Sequence, residues 1–435
     1  MRIPATSYLE RLVIYLLLAQ VISRVVMEFG MGMWWFKTVQ LKLWITYGLL
    51  FLDHAFWFGK GRFHRLRLDW YVLVAIGLFT LIALHGALVG LAWGQGVWPV
   101  FEDTAPVLAI LLTIVRVQQE DGIDFHAAFK RMFWVTILAT WVCVIFGYAG
   151  VARGLPTKIP PQGAVIGIYL SLYLAYLARA PRSWRLAFHS ASMAGALLVS
   201  LDDINRTTMA FMAVGAGLAL LLRLRIDKIG TIFLVLALGA MPVIGSRLVP
   251  EDSKTYSRLV AVFDETARSR SISIQARTME DRDIKLALEK EGAFAELFGL
   301  GHGASYEYRS MNKYEAAHAH AHYAFAYFNL RYGFMGKFYV VLIGALLLAN
   351  IGLGLVRGSA IASFCVFVSI LSFLYLFTYV NFFIYLAGLP VATMLFPLRT
   401  WRDSFAETDA MSKRTKTRQT RLNNSAAPIL VWRKP

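Results

Sequence analysis

The sequence predicts an all-α integral membrane protein of about twelve transmembrane helices with one large folded loop on the outer face. Three observations predict it. The 435 residues are 57% hydrophobic and only 16% charged, where ordinary soluble domains carry about 25% charged residues. Many apolar runs reach the roughly 20 residues that a helix needs to cross a bilayer. One interval, 247–332, breaks this pattern: it is long and polar, yet it carries Leu, Phe, Tyr and Ile throughout, as a folded segment does.

Taken in order, the apolar runs give spans at about 9–29, 38–58, 69–92, 98–115, 132–152, 161–179, 184–201, 207–223, 229–247, 333–356, 359–379 and 381–398. The first run is long, contains Arg24 and Glu28, and is followed by no small-x-small cleavage pattern, so it reads as a span rather than a cleaved signal. Pro160 and Pro161 sit where the sixth span begins, which suits a first helical turn. No internal repeat stands out, unlike transporters built from two repeated halves. Four segments follow: 1–246 with spans one to nine, the loop 247–332 with helical stretches, 333–398 with the last three spans, and a basic tail 399–435.

Basic residues assign the sides. Lys60, Arg62, Arg65 and Arg67 crowd the second connection, Arg116, Lys130 and Arg131 bracket the fourth, and Arg179, Arg182 and Arg185 fill the sixth. Arg223, Arg225 and Lys228 mark the eighth and Arg357 the tenth, while the short odd-numbered connections are poorer in charge. The positive-inside rule then puts the even connections and both termini in the cytoplasm and the long loop outside. The net charge of +17 is thus assigned to cytoplasmic loops and not to nucleic acid. The tail carries Lys413, Arg414, Lys416, Arg418 and Arg421, a composition that predicts disorder beyond about 410. Cys143 and Cys365, the two cysteines, lie inside apolar runs and imply no disulfide framework.

The same topology brings candidate chemistry to one face. No cytoplasmic connection is long enough for an ATP-binding domain and no P-loop occurs, so an outer-face reaction must use an already activated substrate, with a redox or ion-gradient mechanism as the alternative. Arg206, followed by Thr207 and Thr208, stands at the outer start of the eighth span. A guanidinium beside a helix N-terminus with hydroxyls nearby suits a diphosphate; an arginine that only snorkels to the surface is the plainer alternative. Arg268, Arg270, Arg277 and Arg282 add loop cations, with Arg277 favoured over Arg270 because it precedes a helix-like run at 281–290.

Three of the nine histidines, His318, His320 and His322, stand at the mouth of the tenth span. The residues from Tyr323 to Tyr332 form an aromatic, amphipathic stretch suited to an interfacial helix that Gly333 ends or bends, and Gly336 admits a close neighbour. A partly desolvated histidine there suits a general base, with a hydrogen bond to lipid or backbone as the alternative. His318 and His322 are also four apart, the spacing of two zinc ligands on one helix face, but no third ligand is nearby. The cluster Gly299, Gly301 and Gly303 lacks a preceding strand and reads as a turn back to the membrane.

These elements resemble the O-antigen ligase and polymerase superfamily. The resemblance rests on Arg206-Thr207 before an apolar span, a second loop arginine, the Leu297-Phe298-Gly299-Leu300-Gly301 turn, and His322 through Gly333 and Gly336 in the family's spacing. Tyr323 stands where the family usually has Asn, and Arg331 where an acidic residue is common. The resemblance implies a GT-C-like fold in a bacterial inner membrane with the loop in the periplasm. It implies transfer of O-antigen polysaccharide from undecaprenyl diphosphate to a sugar hydroxyl of lipid A-core, inverting, without ATP, metal or cofactor. His322 would be the base, Arg206, Arg277 and Arg270 would bind the diphosphate, and His318, His320 and Tyr323 would support them. A polymerase that extends carrier-linked glycan is the alternative within the same chemistry, and a lipid-linked oligosaccharide transporter the alternative outside it. A transporter would line a pathway with polar groups; Arg24, Glu28, Asp53 and His85 are sparse candidates.

Overall fold

The computed structural model describes residues 7–28, 35–59, 70–118, 125–152, 164–179, 183–200, 206–232, 235–236, 272–309, 314–318, 324–357, 360–378 and 389–393. The chain is mostly helical. Eight helices come first: α1 (Tyr8–Glu28), α2 (Trp35–Gly59), α3 (Trp70–Ala92), α4 (Val97–Gln118), α5 (Phe125–Ala152), α6 (Ala164–Arg179), α7 (Trp184–Ser200) and α8 (Arg206–Arg223). Then follow α9 (Ile272–Glu291), the short α10 (Ala293–Phe298), strands β1 (Tyr306–Arg309) and β2 (Tyr314–His318), α11 (Ala324–Arg357) and α12 (Ala360–Thr378).

Ten of the twelve predicted segments coincide with these helices; the ninth and twelfth lie mostly outside the described residues, as does the basic tail. Among the described residues, Val72–Ala92, Ala127–Phe146 and Ala324–Val356 are long and apolar enough to cross a membrane, and Ile166–Arg179, Thr207–Arg223 and Ile361–Leu376 are shorter apolar helices. These helices fit a membrane-embedded protein.

One local feature differs from the sequence expectation, and one agrees with it. The loop is not purely helical. β1 and β2 form an antiparallel hairpin that pairs Tyr308 with Glu315 and Arg309 with Tyr314, with an irregularity between Tyr306 and Tyr308. Tyr-Glu-Tyr alternation supplies the β-favouring aromatics and the period of two. The Tyr306 hydroxyl donates to Glu280 Oε1 of α9 at 2.7 Å, fixing the hairpin on that helix. The aromatic helix and the tenth span, in turn, are one element, α11, broken at Gly333, where φ is 56° and ψ is −141°.

Direction alternates through the bundle, which gives it two chemically different ends. At one end Arg131 of α5 forms two hydrogen bonds to Glu10 of α1, at 2.6 and 2.9 Å, and Arg11 pairs with Asp53 of α2 at 3.3 Å. Arg116, late in α4, lies over the rings of Tyr8 and Trp57. Phe133 of α5 meets Tyr176 of α6, so the ends of α6 and α8 belong here as well: Arg223 donates to Leu177 O at 2.9 Å, and Arg179 donates to Ser363 at 3.2 Å. The opposite end holds the α3–α4 connection, α10 and the break in α11.

Candidate functional site

The break in α11 creates a binding surface for the glycine turn. In an unbroken helix the carbonyls of Leu330 and Arg331 would accept from residues four positions on. The conformation at Gly333 removes those donors, and buried carbonyls need replacements. The turn after α10 provides them: Leu300 N–H donates to Leu330 O at 2.9 Å and Gly301 N–H to Arg331 O at 3.0 Å. One residue on, His302 N–H donates to Gly86 O of α3 at 2.7 Å.

The approach is backbone to backbone. A Cβ on Gly301 would sit 1.9 Å from Gly90 N, and its φ of +73° is itself unfavourable for other residues. A Cβ on Gly333 would sit 2.5 Å from Glu296 O. Gly86 and Gly90, one turn apart on α3, leave room for the His302 ring and backbone.

His302 is fully enclosed, and its hydrogen bonds fix its tautomer. The Thr104 hydroxyl is 2.6 Å from Val100 O, where its single proton is used. It therefore accepts from His302 Nδ1–H at 2.7 Å, which leaves Nε2 to accept the Tyr332 hydroxyl at 2.7 Å. Burial of this turn residue lowers its pKa to about 4; the Asp103 carboxylate opposes the shift, while Arg331 and His85 add to it. His302 is thus a neutral, saturated clasp. His85 is held in the other tautomer: Nε2–H donates to Phe298 O at 2.9 Å, and Nδ1 accepts from the Tyr339 hydroxyl at 2.9 Å.

Charge enters through Asp103 of α4. Its Oδ2 accepts from Gly303 N–H at 2.7 Å and pairs with Arg331 at 2.8 Å. Arg331 also donates to Ala304 O and lies 5.3 Å from the centre of the Tyr327 ring. The turn is therefore held by α3, α4 and α11 together, and this cluster forms the floor of that end of the bundle.

Of those residues, Arg206 is the first of α8. Because Arg223 closes α8 at the ion-paired end, Arg206 stands at the end that holds the glycine turn and the α11 break. Thr207 and Thr208 after it are buried. Arg277 lies on α9, which extends well before the predicted 281–290 run. His318 ends β2 opposite Tyr306. This removes the helical premise for a zinc pair of His318 and His322, because β2 holds the first. Arg270, His320, His322 and Tyr323 lie outside the described residues.

Asp103, His302 and Arg331 carry the floor, and the sequence gives each only a faint signal. Asp103 is a carboxylate inside an apolar run, a feature that by itself marks a functional or structural site. Arg331 is a cation two residues before a helix break. His302 sits between two glycines of a turn, and no local pattern reveals the helix against which it packs. No protein-family model matches the chain, and no curated protein matches it.

Proposed function

We propose that the chain is a glycosyltransferase of the O-antigen ligase type, with twelve spans and a periplasmic site, acting at the outer face of a bacterial inner membrane. The observation that carries this is the joining of two elements distant in sequence. The Leu297–Gly301 turn and the helix ending in Gly333 and Gly336 pack backbone against backbone, at the end of the bundle where α8 begins with Arg206. His322 precedes that helix by two residues. Two parts of the sequence resemblance, the glycine turn and the helix with Gly333 and Gly336, thus pack against each other.

The chemistry follows from the residue types. A hydroxyl of lipid A-core attacks the anomeric carbon of the first O-antigen sugar. The bond from that carbon to the phosphate oxygen breaks, and undecaprenyl diphosphate leaves with the electron pair. Attack opposite the leaving group inverts the anomeric configuration. Charge grows on the diphosphate, where Arg206 and a loop arginine, Arg277 or Arg270, stabilise it. His322 takes the hydroxyl proton.

The test is transfer in membranes treated with EDTA, without added nucleotide, supplied with carrier-linked glycan and lipid A-core. The expected product is lipid A-core bearing long chains, lost in Arg206→Ala and poorly restored by Arg206→Lys, whose ammonium lacks the bidentate fork. Longer carrier-linked chains with untouched lipid A-core would instead identify a polymerase. Full transfer by Arg206→Ala would remove the diphosphate role.

A further inference from the structure

The end of α8 opposite Arg206 gathers cations that its own acids do not balance. α8 closes there with Arg223, whose guanidinium donates to Leu177 O at 2.9 Å. That bond seats the end of α8 on the last turn of α6, two residues before Arg179. Arg223 is buried and pairs with Asp227 Oδ2 at 3.3 Å. Asp227 Oδ1 accepts Gly230 N–H at 2.9 Å. Asp227 is the one acidic residue from Arg206 to Ile232, and none occurs in 164–185 or 357–378. Both of its oxygens are engaged, so these stretches offer no carboxylate to a further arginine.

Two further arginines stand at the same place. Arg179, the last residue of α6, is partly buried, and its Nε donates to the buried Ser363 hydroxyl at 3.2 Å, in the first turn of α12. Nε is thereby used, and the Nη1 and Nη2 edge has no acceptor among the described residues. Arg225, two residues past Arg223, is exposed and has no hydrogen bond or ion pair among the described residues, and its charge acts on Arg179. Two such cations without an acid repel, and the partial burial of one strengthens the repulsion. An arginine that only snorkels to water needs no inward anchor, yet Arg179 has one in Ser363. An anchored guanidinium with its outer edge open presents the fork that takes two phosphate oxygens at once.

We infer that Arg179 and Arg225 form a binding site for a phosphate group, with Ser363 holding the Arg179 fork in place. The Arg223–Asp227 pair fixes the end of α8 on α6 and so sets the spacing of the two arginines. The site lies at the far end of α8 from Arg206 and does not depend on the proposed transfer reaction.

The full chain in dodecyl maltoside micelles tests it. The readout is the midpoint of thermal unfolding, which a ligand of the folded state raises by mass action. Two probes separate the sources of phosphate: phosphatidylglycerol, against diacylglycerol with the same chains, and potassium phosphate, against potassium chloride at equal ionic strength. A saturable rise with at least one probe is expected, and the probe that gives it shows whether the phosphate belongs to a lipid or is free. Arg225 is exposed, so Arg225→Gln disturbs no packed contact; it should weaken binding by about tenfold or more. Arg179→Lys keeps the charge but loses the fork and should weaken binding by a similar factor. Lys228→Gln removes the same charge as Arg225→Gln from a nearby exposed position and should leave binding within about twofold, as a solvated surface charge does. No rise with either probe would overturn the inference, and so would wild-type binding by Arg225→Gln. Equal losses in Arg225→Gln and Lys228→Gln would also overturn it, because net charge and not the arginine pair would then hold the anion.

Discussion

Arg331 of α11 and Asp103 of α4 form a 2.8 Å ion pair with side chains 1% and 8% exposed, and Gly303 N–H shares the same carboxylate oxygen. One carboxylate therefore holds a helix, a helix break and a loop turn together. Removing one partner of a buried pair leaves an uncompensated charge and costs about 3–5 kcal/mol. Asp103→Ala is expected to lower stability by that order in a detergent unfolding measurement. Asp103→Ala combined with Arg331→Met should recover part of the loss, since neither charge is then stranded. An Asp103→Ala protein as stable as the wild type would show that the pair does not bind the turn to the bundle.

The enclosed His302 makes the clasp sensitive to acid. Its folded pKa is held near 4 by burial, against about 6.5 in the unfolded chain. Between those values the unfolded state binds a proton that the folded state refuses, so stability falls as pH drops from about 6.5 towards 4. The full effect is roughly 3 kcal/mol. Above pH 6.5 the contribution is fully present. His302→Asn should start less stable at neutral pH yet lose less between pH 6.5 and 4. The check is unfolding of both proteins across that window, and parallel curves would exclude His302 as the group responsible.

Two glycine substitutions of opposite expected sign test the backbone approach. Gly301→Ala meets Gly90 N at 1.9 Å and also keeps a positive φ, so a loss of about 1–3 kcal/mol or more is expected from strain and overpacking. A Cβ on Gly352, in the second part of α11, meets nothing within 4 Å. Gly352→Ala should be neutral or stabilise by up to about 1 kcal/mol through helix propensity. Equal effects from the two changes would mean that the turn does not pack on α3 as described.

The fold was legible where one residue type repeats. Apolar runs located α1 to α8, α11 and α12 because the apolar character repeats through every turn of these helices. The bend at Gly333 was legible for the same local reason: a glycine follows an aromatic amphipathic stretch and precedes another glycine. What stayed hidden is long-range. Asp103 and Arg331 each look like a single charge in an apolar context, and only the fold shows that each neutralises the other. Gly86 and Gly90 mark a close approach without saying what approaches, and the answer is a loop some two hundred residues away in sequence. The β1–β2 hairpin was hidden by the polar composition around it, since the Tyr-Glu-Tyr alternation of β1 spans only four residues. The candidate chemistry was legible only as residue types and order, Arg206 before an apolar run and His322 before an aromatic one.

The sharpest consequence concerns His322 and His318. If His322 is the base, His322→Ala should slow transfer by about 10²–10⁴-fold, the usual contribution of general base catalysis. Carrier-diphosphate binding should persist, because the proposed mechanism assigns the diphosphate to arginines. His318 closes β2 opposite Tyr306, so it is separated from α11 by a change of secondary structure and does not share a helix face with His322. His318→Ala should therefore be mild, and so should His320→Ala. A metal site would give the reverse pattern: His318→Ala as damaging as His322→Ala, and inhibition of the wild type by EDTA. Donor binding distinguishes loss of the base from loss of the fold. A His322→Ala protein that binds carrier-linked glycan with wild-type affinity yet transfers none has lost a step of the reaction and not its structure. Near-normal turnover by the same protein would remove His322 from the chemistry and leave the acceptor proton to another group.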